Sequence, residues 1–118
     1  MSHPWKDLLV WQKSHQLVIQ IYKLTELFPE KERFGLIQQI RKSSVSVAAN
    51  IVEGKSRKTD KEFASFLYNS RGSLEETRYH LLLSKDLNYI SQESYDTIEK
   101  LASEVSYLIN KLISVTLK

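Results

Sequence analysis

Few side chains in this sequence are of types and spacings that do chemistry. Glu76 and His80 stand four apart, which puts both on one face of a helix. A carboxylate di-metal bundle needs Glu-x-x-His on two helices and further core glutamates. Here the spacing is different and the pair occurs once. The other histidines, His3 and His15, are scattered away from it. There is no cysteine, so no thiolate nucleophile, thiolate metal site or disulfide can form. Gly35, Gly54 and Gly72 are too dispersed to cradle a phosphate. No serine sits in a nucleophile elbow. Glu75, Glu76 and Arg78 read as a solvated helix face with an i,i+3 ion pair. The residues predict no enzyme, no metal and no cofactor.

What remains is positive charge. The chain carries a net +3. Residues 34–61 hold six basic and two acidic side chains, whereas residues 62–118 hold six basic and eight acidic. Lys42, Lys55, Arg57, Lys58 and Lys61 lie in or beside the basic segment, with Arg71 and Arg78 following. Phosphate contacts need only placed cations, which release counterions. These seven residues are the expected nucleic-acid-binding set, for RNA or DNA. No aromatic stacking platform or groove-reading motif is visible, so such binding would tolerate any sequence.

Four helices must position these cations. The first is expected over 8–28, with Asp7 as N-cap and a seam of Val10, Ser14, Leu17, Ile21, Leu24 and Phe28. Trp11 and His15 lie beside that seam, and Pro29 stops the helix. The second spans 34–54 with Ile37, Ile40, Ser44, Val47 and Ile51 stepping by three and four. Small residues around them let another helix axis come close. Gly54 stands where a left-handed C-cap belongs. Arg41 falls inside the apolar arc, as a snorkelling arginine or a paired or interfacial one.

Thr59 and Glu62 form a capping box opening the third helix, over 60–87. Its core seam is Phe63, Leu67, Ser70, Leu74, Thr77 and Leu81. A second strip, Tyr68, Gly72, Tyr79 and Leu83 with Leu82 at its border, lies nearly opposite. A helix with two apolar sides is expected to be buried on both. The strip, with Arg41, is the expected subunit interface. The rival reading is a protein-binding adaptor whose strip receives a partner helix. Asn88 suits a left-handed residue, and Ser91 caps a fourth helix over 92–117. Short connections predict an all-α, antiparallel up-down-up-down four-helix bundle in one domain, 1–118. No apolar run approaches the length of a membrane span, and the N-terminus lacks a signal-peptide centre, so a cytoplasmic protein is expected.

Several stretches together carry a resemblance: Asp7-Leu8 with Val10-Trp11-Gln12, Phe28-Pro29 with Glu32-Arg33-Phe34-Gly35-Leu36, and Gln39-Ile40-Arg41. Asn50-Ile51 with Glu53-Gly54, Glu62-Phe63 with Phe66-Leu67, and Gly72-Ser73-Leu74-Glu75 extend it. From about residue 7 to 115 the chain resembles the bacterial four-helix-bundle family of 23S rRNA intervening-sequence proteins. That family also takes in the accessory variability determinant of diversity-generating retroelements. The resemblance implies a ring-shaped homopentamer that binds nucleic acid, with a reverse transcriptase as a protein partner in the retroelement branch. Asn88 stands where the family usually has glycine, and Ser43-Ser44 replace a more alanine-rich pair.

Overall fold

The computed structural model describes residues 3–118. Met1 and Ser2, which the expected domain includes, lie outside the described residues. Four helices follow one another: α1 (Leu9–Thr25), α2 (Leu36–Lys55), α3 (Asp60–Asp86) and α4 (Gln92–Thr116), with a 3-10 turn at Glu30–Glu32. The fold is an all-α four-helix bundle. α1 packs on α2 and α4, and α3 packs on α2 and α4. Leu17, Ile21, Ile40, Val47, Ile51, Leu67, Leu74, Leu81, Val105 and Ile109 are fully buried and form the shared core. Each such side chain contributes about 1.5–3 kcal/mol by leaving water. No helix among the described residues is long and apolar enough to cross a membrane.

The ends show why the chain turns where it does. α1 stops at Thr25, short of the expected 28, because Leu27 and Phe28 donate to Leu24 and Thr25 in tight i→i+3 bonds before Pro29. Asp7 does not cap α1. Leu8 is the N-cap, and no side chain satisfies the first amides. α2 begins at Leu36 rather than 34, with Gly35 as its N-cap. The Thr59–Glu62 capping box is complete, and the Ser91 hydroxyl accepts from the Ser94 amide. Asn88 is left-handed, φ 65°. Tyr89 N–H donates to Ser84 and Asn88 N–H to Lys85, the doubled bonds of a Schellman end. α3 and α4 each end one residue before the expected limit.

A second apolar cluster, Phe28, Leu36 and Ile90, closes the end where these connections meet. Above it the Glu32 carboxylate accepts from the Tyr89 hydroxyl at 2.8 Å and from the Leu36 amide at 3.2 Å. The Tyr89 bond, then the amide, holds the Glu32 carboxyl below its ordinary range, and the same bond raises the Tyr89 hydroxyl.

Gly54 is not a left-handed cap. It lies inside α2, and no described glycine has positive φ. It is buried, and a Cβ there would stand 2.6 Å from Phe66 Cβ and 3.0 Å from Phe63 Cδ1. The glycine exists so that α3 can approach. Helix propensity alone would make Gly54→Ala stabilising by about 1 kcal/mol. Because Phe66 Cβ is fixed to the α3 backbone, the helices must part instead, and we expect a net loss of about 1–3 kcal/mol. Urea denaturation of the two proteins checks the sign.

Candidate nucleic-acid interface

Of the seven expected phosphate-binding cations, four come together at the turn between α2 and α3. Lys55 lies over the Phe63 ring at 5.4 Å and Arg57 over Phe66 at 4.7 Å, so both are steadied by aromatic faces. Arg57 also pairs with Glu53 at 3.0 Å. The Glu62 carboxylate is turned inward onto the Thr59 amide and hydroxyl. Lys58 and Lys61 are exposed. Among the described residues, Lys55, Lys58 and Lys61 reach no carboxylate within ion-pair distance.

The other three are placed apart. Lys42 is exposed on α2, more than three turns before Lys55. Arg71 donates to Asn110 Oδ1 at 3.0 Å and lies over Tyr68 at 4.7 Å, so its charge is uncompensated by a carboxylate. Arg78 leaves the set. Its Nε and Nη2 donate to Glu99 Oε1 and its Nη1 to Glu75 Oε1 at 2.9 Å. The Glu99 hydrogen bond is the main reason its guanidinium is pushed above its ordinary value. The sequence shows Glu75 three residues away, but Glu99 comes from another helix, and only packing brings it there.

The expected interface residues divide in the same way. Tyr68 and Tyr79 are 44% and 58% exposed, and Leu82 borders them. Gly72 faces open space, with nothing within 4 Å of an added Cβ. Leu83 turns the other way and packs partly buried against the Phe28–Leu36–Ile90 cluster. Arg41 is paired within its own chain. Its Nε donates to Thr25 Oγ1 at 2.8 Å, its Nη2 donates to Tyr22 O at 3.2 Å, and it covers the Tyr22 ring at 4.5 Å. It thus serves one carbonyl and one hydroxyl in the last turn of α1, where carbonyls need a donor.

The Glu76–His80 pair is formed, 3.2 Å apart, but no group of three His, Asp or Glu among the described residues could hold a metal. One feature has almost no signature in the sequence. At the start of α1 four rings stand in a column. His3 stacks on Trp5 (5.0 Å, 17°), Trp5 meets Trp11 (4.7 Å, 60°), and Trp11 stacks on His15 (5.0 Å, 13°). Only the i,i+4 spacing of Trp11 and His15 foreshadowed it.

The model of the 23S rRNA-intervening sequence protein family matches residues 6–111. A crystal structure of a protein of unknown function from the S23 ribosomal protein family of Bacteroides thetaiotaomicron has a similar fold, with TM-score 0.83. The two are 29% identical, over 89% of this chain and 98% of that one. No curated protein matches the chain.

Because Arg78 bridges α3 to the part-buried Glu99 of α4, Arg78→Gln should cost about 1–2 kcal/mol of stability. It should leave polyanion affinity unchanged. Denaturation and RNA titration of the same sample separate the two roles, and a reversed pattern would return Arg78 to the binding set.

Proposed function

The chain belongs to the 23S rRNA-intervening sequence protein family, a non-enzymatic four-helix-bundle type, and from that membership we propose an oligomeric bundle that binds nucleic acid. Phosphates are met at the α2–α3 turn by Lys55, Arg57, Lys58 and Lys61, with Lys42 and Arg71 as outlying contacts. The observation that carries this reading is the state of the turn. Among the described residues its lysines are exposed and without an ion pair, while of its acids Glu53 is taken by Arg57 and Glu62 by the helix cap, which leaves only Asp60 against them. Such contacts position a backbone without reading bases. A cytoplasmic location goes with that partner.

Self-association is the second part of the proposal. One copy offers only a handful of cations, and repetition around a ring multiplies a weak contact. We assign the contact to Tyr68, Gly72 and Tyr79, and the assembly to a ring-shaped homopentamer of antiparallel up-down-up-down bundles. The cross-helix bonds support that course: Ser43 of early α2 meets Thr77 of late α3, and Val47 meets Ser70. Kinship with the accessory variability determinant, and with it a reverse transcriptase partner, belongs to the same proposal. The openness of Gly72 equally suits an adaptor that receives a foreign helix. Light scattering separates the two, since a monomer favours the adaptor.

Two measurements test the proposal. Lys58→Glu with Lys61→Glu should weaken binding to structured RNA at least tenfold and flatten the salt dependence by about two in log–log slope. An unchanged titration overturns the charge assignment. Gly72→Leu meets open space in a single copy and improves helix propensity, so it should preserve the fold while dissociating the assembly. An undisturbed oligomer overturns the interface.

A further inference from the structure

Deepening the nucleic-acid reading just given, on which it rests, we propose that the His3–Trp5–Trp11–His15 column is a stacking platform for unpaired nucleobases. The basic turn can hold any polyanion. The column would add a preference for single strands.

The argument starts from what the rings do for the fold. Trp11 packs against the main core, so part of its burial is structural. Trp5 belongs to neither apolar cluster of the described residues. It lies outside the helices, half-buried, and rests on His3 and Trp11. The two ends of the column, His3 and His15, are exposed, and each has one aromatic neighbour among the described residues. Each therefore presents a ring face on which another flat ring can stack. Exposed aromatic faces beside positive charge are the means by which proteins hold single strands without choosing a sequence.

The column is also held ready. Gln12 Nε2 donates to the Lys6 carbonyl at 2.9 Å, which ties the segment before α1 onto the helix. Amides of Lys6 and Leu8 donate to His3 and Trp5 carbonyls and close the turn that carries the first two rings. Preorganisation of this kind lowers the ordering cost of binding. Lys6 supplies the phosphate contact. Its Nζ lies 6.0 Å from the Trp5 ring centre and reaches no carboxylate among the described residues. Lys13, seven residues on, is already paired with Glu104 at 3.5 Å. A duplex keeps its bases stacked inside and offers the column little, so the expected partner is a single strand, of RNA or DNA alike.

The chain has two tryptophans, both in the column, so tryptophan emission, excited beyond the tyrosine absorption band, reports on this site alone. The full-length protein is titrated with a fluorophore-labelled oligo(U), an oligo(dT) of equal length and a duplex RNA. Label anisotropy reads binding anywhere, and tryptophan quenching reads the column. Both single strands should bind and quench. Trp5→Ala should weaken their binding about tenfold and leave the duplex unaffected, while Trp5→Phe, which keeps a ring, restores it. Circular dichroism checks that each variant stays folded. Single strands that bind without quenching, with Trp5→Ala silent, overturn the platform and leave the basic turn standing. Failure of every oligonucleotide to bind overturns both readings together.

Discussion

The closeness of α2 to α3 is the constraint from which the rest of the bundle takes its shape. Gly54 removes the Cβ that would strike Phe66. Along the same contact run Ser43, Ser46, Ser70, Ser73 and Thr77, all small enough to let the axes approach. Closeness creates an obligation, because a buried hydroxyl without a partner costs more than it returns. The bonds meet it. Thr77 donates to Ser43 at 2.8 Å, Ser70 to the Val47 carbonyl at 2.7 Å, and Ser46 and Ser73 share a bond at 2.9 Å. A hydroxyl seam is shallower than a leucine seam but directional, so it fixes the register as well as the distance.

With that pair set, α1 and α4 are attached by different means. Arg41 crosses from α2 to the last turn of α1 and donates to the Tyr22 carbonyl and the Thr25 hydroxyl. Arg78 crosses from α3 to Glu99 of α4. The main core beneath both contacts is largely aliphatic and less directional than a hydrogen bond. The charged crossings are directional, since a guanidinium fork fits its acceptors in one orientation. At one end of the molecule Glu32 performs a similar service between the 3-10 turn and the α3–α4 connection, through Tyr89. Each of these residues sits where its polar head finds a partner its own helix cannot supply.

Much of this was legible in the sequence. The seam on α3, the capping box at Thr59 and the left-handed Asn88 follow from local rules of periodicity and backbone sterics. Those rules need no knowledge of the neighbours. Gly54 was misread for the opposite reason. A glycine near a helix end fits a cap and a close approach equally well, and Phe66, which decides between them, lies twelve residues on. Arg78 was assigned to phosphate because its spacing to Glu75 gives only a weak surface pair, while Glu99 belongs to α4. Leu83 shares a face with Tyr79 on the helical wheel, but the Phe28–Leu36–Ile90 cluster takes it up. The ring column was invisible because Trp5 precedes the helix, and no periodicity relates it to Trp11. In each case the missing information was a contact between segments distant in sequence or outside a regular element.

Gly72 marks the point at which a single copy stops explaining its own sequence. In the middle of a 27-residue helix it forfeits about 1 kcal/mol against alanine. At Gly54 a comparable penalty is offset by packing that a methyl group would forbid. At Gly72 nothing among the described residues comes within 4 Å of where a Cβ would stand, so no packing of that kind offsets it. Exposed tyrosines such as Tyr68 and Tyr79 need no explanation singly. They share a helix face with an uncompensated glycine, and a backbone or helix pressed onto that face would recover what the glycine gives up. On the proposed reading that visitor is a second copy. The consequence reaches the basic turn as well, because the same α3 that carries Gly72 carries Lys61 in its first turn. Joining copies along α3 would then repeat the cations at a fixed interval, so the density of charge seen by a polyanion would be set by the packing at Gly72.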